Sequence, residues 1–325
     1  MSTDQTPFRC SDEARRREDP IVGTAPPARR WLLAELEGRW LPNALSSLVP
    51  NPATRAHLDA AATRAQARIM LIRRHGRRVT SPRRLWCVVD DPRTATGPIC
   101  TWGTWSVADD LLEPAALLVA QAGAARSAGA SRHPQDSPDR RDAPQPQRSP
   151  REPELLLVCT HGKHDVCCAT RGRPVAAAVA QRWPEATWEC SHTGGDRFAA
   201  NVIALPDGAC YGGLDPTVAV PVMEQHFAAG PDTAYLRGWT GYSPAEQAAV
   251  IAAHRMLPGE RWGSLTVTGV DHHDGEVLVH LSGRPGPMVV PVTQVIREAH
   301  QLTCAALAPN RATVPVAGDV QLPRV

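Results

Sequence analysis

The sequence predicts an α/β protein in three folded parts, and three observations carry that prediction. Short apolar runs alternate with helical stretches through residues 31–113 and again through 155–228, as in sheets covered by helices. Between these regions, residues 121–152 lose all apolar periodicity. The chain of 325 residues exceeds a typical single core and suggests about two domains.

In the N-terminal part, residues 1–120, Trp31-Leu32-Leu33-Ala34-Glu35-Leu36 reads as a short strand ending at Gly38. Residues 52–68 read as a helix, with Asn51 as its N-cap and Pro52 in the first turn, where a missing N–H is harmless. Strands over 68–73 and 84–90 follow, bounded by His75-Gly76 and Asp91-Pro92, and residues 108–113 look helical. This makes a small α/β domain. Cys87 falls in an apolar strand, where a thiol behaves as a small hydrophobe. Arg73, Arg74, Arg77 and Arg78 around His75-Gly76 read as a solvated turn.

Residues 121–152 are rich in Ala, Ser, Pro, Gln, Asp and Arg. Such a segment cannot bury enough apolar surface to offset its ordering entropy and is expected to be a disordered linker. The pattern resumes in residues 153–230. Residues 155–159 read as a buried strand, and 175–182 as a helix begun by Pro174 and stopped by Pro184. Residues 187–190 form a second strand, laid parallel to the first by the helical crossover. A third strand over 200–205 turns through Pro206-Asp207-Gly208 into 209–214, and 216–228 form another helix. The order β-α-β-β-β-α is the thioredoxin-like plan.

Residues 231–325 read as a small α+β C-terminal appendage. Ser243 caps a helix over 245–256, with Pro244 at its first position and Glu246 three residues past the cap. Strands follow over 264–270, 276–281 and near 287–292, and Asp271-His272-His273-Asp274-Gly275 reads as a hairpin turn. Cys304 stands in a proline-rich tail without an assigned role, as does Cys10 near the start.

The formal net charge of +2 gives no global argument for binding nucleic acid or a membrane, and neither is expected as a partner. The first residues are polar and then charged, unlike a signal peptide, and no stretch approaches the roughly 18 apolar residues of a membrane span. A cytoplasmic location is therefore expected. Thiols there stay reduced, so a clustered subset of the nine cysteines points to metal or catalysis rather than disulfides.

That cluster lies between residues 159 and 196. Cys159 ends the first strand of the thioredoxin-like part, and Cys167-Cys168 follow in the loop before its helix. Cys190 ends the parallel second strand, and His192, Gly194-Gly195 and Asp196 follow it. Neighbouring parallel strands end at one rim, where open α/β sheets hold their chemistry. Thiolate and imidazole suit zinc or iron–sulfur clusters better than magnesium or calcium. The Cys-x8-Cys loop is longer than the close pairs of structural zinc sites, and mixed Cys/His ligation of two irons has precedent.

The run from Val158-Cys159-Thr160-His161-Gly162 to Cys168-Ala169-Thr170-Arg171-Gly172, then Ser191-His192-Thr193-Gly194-Gly195-Asp196-Arg197-Phe198 and Leu205-Pro206-Asp207-Gly208, resembles the sucrase/ferredoxin-like family. The resemblance is strong over 154–214 and extends weakly to Cys10 and to Gly23-Thr24-Ala25 through Gly38. It implies a thioredoxin-like ferredoxin domain holding a 2Fe-2S cluster. Fungal members bind theirs through two Cys spaced as Cys159 and Cys168 are, and two His in an H-x-G-G-H loop. Here His192 fills the first His position and Asp196 the second. Cys190 is the first choice for the fourth ligand, because a thiolate suits iron better than a carboxylate; Asp196 is the second, and Cys167 is the alternative to Cys168. Arg171 and Arg197 flank the site and would offset cluster charge. No pair of glycosidase carboxylates supports a sucrase activity.

The sequence thus predicts a 2Fe-2S electron-transfer or redox-sensing protein with an unidentified redox partner protein. Competing readings are a thiol–disulfide oxidoreductase and a zinc-stabilised binding module. The first lacks a C-x-x-C motif at its helix start.

Overall fold

Strand β1, Arg30–Glu35, is buried at every position, which is why its sequence shows no polar alternation. The computed structural model describes residues 7–76, 82–95, 99–130, 154–260 and 263–322. A short helix, α1 (Cys10–Arg16), precedes β1. Helices α2 (Ala44–Leu48) and α3 (Pro52–Ala65) follow, capped by the side chains of Asn43 and Asn51. Then come β2 (Ala67–Arg74), β3 (Arg84–Val89), β4 (Cys100–Trp105) and α4 (Leu112–Ala130). The second half contains β5 (Leu155–Cys159), α5 (Val166–Arg182), β6 (Thr187–Cys190), β7 (Val202–Leu205), β8 (Ala209–Tyr211), α6 (Ala219–Ala228), β9 (Leu236–Trp239) and α7 (Pro244–Met256).

One mixed sheet of nine strands takes the order β4-β3-β1-β2-β6-β5-β7-β8-β9. In its first half β1 is parallel to β2 and antiparallel to β3, which is antiparallel to β4. In its second half β5 is parallel to β6 and antiparallel to β7, which is antiparallel to β8. The chain therefore runs the same strand plan twice. The two copies meet where β2 and β6 pair antiparallel, each covering the other's open edge. The segments that the sequence assigns to separate parts, 1–120 and 153–230, share this single sheet.

Glu189 holds the seam. It accepts from Arg73 Nε and Nη2 at 2.9 and 2.6 Å, from Thr160 Oγ1 at 2.9 Å, and lies 2.8 Å from His75 Nδ1. Burial raises its carboxyl pKa, but the Arg73 guanidinium outweighs this and holds it below the ordinary value of 4.5. A depressed folded value means that its stabilisation is complete above pH 4.5 and fades as pH falls through the folded value. Glu189→Gln is expected to cost about 2 kcal/mol in denaturant unfolding at neutral pH, since it removes the charge that pairs with the half-buried Arg73 guanidinium. The loss should shrink on acidification, and a variant as stable as the parent at pH 7 would refute the role.

Beyond the large sheet, β10 (Thr266–His273), β11 (Glu276–Ser282), β12 (Met288–His300) and β13 (Asn310–Ala317) form a separate antiparallel sheet in chain order. The capping box of Ser243 and Glu246 starts α7 as the sequence predicts. Its small residues Ala248, Ala249 and Ala253 pack in one core with Leu236 and Trp239 of β9 and with Val279, Val290 and Val292 of the small sheet. A helix covered on both sides has no polar stripe.

Three expectations need correction. Residues 121–130 belong to α4 rather than to a disordered linker: this stretch is alanine-rich, and Ala122 is buried in the core with Leu118 and Leu111. The rest of the expected linker lies outside the described residues up to 153, as do Arg77 and Arg78. Helix α5 starts at Val166, before Gly172 and Pro174, because the Asp165 side chain accepts from Cys167 N and caps it there. The proline-rich tail contains the strand β13, paired along β12. Among the described residues, no helix is long and apolar enough to cross a membrane.

Candidate metal centre

Cys159 closes β5, and the chain reaches α5 through the loop 160–165. Asp165 caps that helix, so Cys168 falls in its first turn rather than in a loop. The positive end of the helix dipole there favours a thiolate. Helix and strand come very close at Gly172: a Cβ there would stand 1.9 Å from the Cys159 carbonyl oxygen. Only glycine permits this approach, which brings Cys168 to Cys159. From the end of β6 the chain turns through Ser191-His192-Thr193-Gly194-Gly195 into a 3-10 turn, Asp196–Phe198.

These elements bring donor atoms of Cys159, Cys168 and His192 within 4.8 Å of one another. Asp196 Oδ1 joins them, accepting from Cys168 Sγ at 3.1 Å and lying 3.0 Å from His192 Nδ1. Nδ1 itself is buried and has no aligned hydrogen-bond partner. His164 stacks on His192 with centroids 3.6 Å apart and stands 3.9 Å from Asp196 Oδ2. It is the exposed member of the group. His161 is committed elsewhere: Nε2 donates to Leu41 O at 2.8 Å, and Nδ1 accepts from His192 N at 3.3 Å. Those partners fix the neutral tautomer, and burial pushes its pKa down.

Charge inside the group is strongly partitioned. The hydrogen bond from Cys168 pulls Cys159 well below an ordinary thiol, against burial and helped by His192. Cys168 is raised for the reciprocal reason. Burial alone would lower His192, yet the Asp196 carboxylate and the Cys159 thiolate raise it to about 9. The metal-free site is thus a thiolate–imidazolium–carboxylate assembly.

The ligand loop is clamped by residues that no local motif announces. Arg68 of β2 donates to His192 O at 2.9 Å and to Thr193 O at 2.6 Å. Arg237 of β9 donates to Gly194 O and to Asn201 Oδ1, both at 2.8 Å, while Asn201 Nδ2 donates to Gly195 O at 3.0 Å. Four successive carbonyls are therefore fixed. Gly195 sits at φ +77, and a Cβ there would stand 2.3 Å from Arg237 Nη2. Arg171 and Arg197, which the sequence singles out, pair instead with Asp12 and Asp19.

Two further sequence candidates stay outside the donor group of Cys159, Cys168 and His192. Cys190 is outside the donor groups formed among the described residues. It shares a core with Cys159, Cys168, Trp188, Ile203 and Cys210, and burial pushes its thiol well up. Cys167, one position before Cys168 on the helix, faces Cys10, Asp165 and Cys304. Beside the centre opens a cleft of ≈ 990 Å³ lined in part by Arg68, His161, His164, His192 and Tyr242.

No curated protein and no solved structure matches the chain. The model of the sucrase/ferredoxin-like family matches residues 21–238, a span that takes in both halves of the large sheet and the whole donor group. The chain belongs to the sucrase/ferredoxin-like family.

Proposed function

We propose that this chain is a 2Fe-2S protein of thioredoxin-like ferredoxin type, acting in electron transfer or redox sensing. One observation carries the reading: two thiols and an imidazole from three separate elements converge within 4.8 Å. The donor set fits such a group. Cys159 and Cys168 offer sulfur, Asp196 offers oxygen at hydrogen-bond distance from Cys168, and His192 keeps a buried nitrogen without an aligned partner. Cys159, Cys168, His192 and Asp196 would hold the cluster. When bound, it supplies a one-electron centre whose potential depends on ligand charge and nearby hydrogen bonds.

The chain's own residues do the rest. Arg68 and Arg237 hold the ligand loop and place positive charge beside an anionic centre. With a metal bound, the α5 N-terminus would offset the negative charge of the coordinated Cys168 sulfur. The stacked pair His164 and His192 marks the face open to the cleft, where a redox partner protein would approach. Neither nucleic acid nor a membrane is required as a partner, and a cytoplasmic setting fits reduced thiols.

Protein purified without oxygen is expected to be coloured, to contain two irons and two sulfides per chain, and to give an EPR signal once reduced. A donor group this compact also suits a single zinc ion, the zinc-stabilised module. Colourless protein with one zinc lost on Cys159→Ser would establish that alternative instead. The hydrogen-bonded Cys159 and Cys168 pair favours, as a lesser reading, thiol–disulfide exchange, which insulin reduction would reveal.

A further inference from the structure

Behind the first turn of α5 lies a second donor group that the proposed function does not use. It comprises Cys10, the first residue of α1; Asp165, the cap of α5; Cys167; and Cys304, in the loop between β12 and β13. One ligand atom from each lies within 4.8 Å of all the others. Sγ of Cys304 is 3.4 Å from Cys167 Sγ and 3.6 Å from Cys10 Sγ, and Cys10 Sγ is 3.7 Å from both Asp165 oxygens. A tetrahedral zinc with sulfur at about 2.3 Å requires ligand–ligand edges of roughly 3.8 Å. The group already has that size.

The backbone orients the donors. Cys10 N donates to Cys304 Sγ at 3.4 Å, Cys304 N donates to Asp165 Oδ2 at 2.7 Å, and Cys167 N donates to Asp165 Oδ1 at 2.8 Å. Metal sites rely on such supporting bonds to aim their ligands. Each carboxylate oxygen retains a further lone pair. Cys10, Asp165 and Cys167 are buried, while the half-buried Cys304 leaves a route for an ion. Three sulfurs and one oxygen, with no fifth donor in the group among the described residues, suit zinc better than harder cations.

We infer that Cys10, Cys167, Cys304 and Asp165 form a second metal site, for a zinc-type divalent cation. It would clip α1 and the β12–β13 loop to the helix whose next residue, Cys168, belongs to the first donor group. Binding exchanges thiol protons for the ion and needs no oxidant. The site is independent of the cluster reading, because it shares no ligand with it.

The test uses the full chain expressed with iron and zinc. Wild-type protein is expected to carry one zinc besides any iron. Cys10→Ser/Cys304→Ser should lose that zinc while keeping its iron and its visible spectrum. Alkylation mapping of the wild type adds a measurement free of folding defects: Cys304 should be protected with zinc and modified after chelation. Three results would overturn the inference: no zinc in the wild type, zinc lost on Cys159→Ser but retained in the double variant, or a Cys167–Cys304 disulfide in protein prepared under reducing conditions.

Discussion

Asp196→Ala is expected to remove most of the bound iron and the reduced-state EPR signal, whereas Cys190→Ala should keep both. The reason is position rather than intrinsic affinity. A thiolate is the better iron ligand, which is why the sequence favours Cys190. In the fold, however, Cys190 is still within the β6 ladder, paired with Cys159 on one side and Ile72 on the other. That pairing puts its side chain on the same face as Cys159, in the core with Trp188, Ile203 and Cys210, and its sulfur stays outside the donor group. Asp196 lies past the glycine pair, where the 3-10 turn swings it back to 3.0 Å from His192 Nδ1 and 3.1 Å from Cys168 Sγ. Asp196→His supplies the control for folding. It restores the second histidine of the family's loop, should keep the cluster, and should raise the potential because a neutral imidazole replaces a carboxylate. If Cys190→Ala bleaches the protein and Asp196→Ala does not, the fourth ligand is Cys190.

The sequence made the local parts of this site legible. Cys159 and Cys168 are separated by one loop, and His192 lies just beyond the parallel strand, so chain order and the right-handed crossover bring them to one rim. Signals that depend on distant partners were invisible. Arg68 and Arg237 lie on strands far along the chain from the loop that they hold, and only the joined sheet brings them there. The join itself has no sequence marker, since β2 and β6 each read as an ordinary buried strand. The start of α5 was hidden by Gly172 and Pro174, which look like helix breakers. The Asp165 cap overrides them, and Gly172 is needed for contact with β5 rather than for a turn. Cys10 and Cys304 gain meaning only when the β12–β13 loop reaches α1.

Arg237→Met is expected to produce the largest loss of stability of any single change outside the ligands. Arg237 is 1 % exposed and donates to Thr24 Oγ1, Thr24 O, Gly194 O, Asn201 Oδ1 and Cys210 Sγ. Methionine preserves much of the volume but supplies no donor. The Thr24 and Gly194 carbonyls and the Asn201 amide oxygen would then be buried without that partner. Each such loss costs about 1–3 kcal/mol, so a combined loss of about 4–5 kcal/mol is a reasonable expectation after incomplete additivity. Denaturant unfolding of the metal-free chain measures it without interference from cluster loading. A second readout separates a clamp from a mere core residue: cluster retention under a competing chelator should fall in Arg237→Met even at temperatures where the chain stays folded. Arg68→Met should weaken retention similarly with a smaller loss of stability, because Arg68 borders the cleft rather than the core. If Arg237→Met were as stable as its parent, the carbonyl clamp would not be what holds the loop between His192 and Asp196 in place.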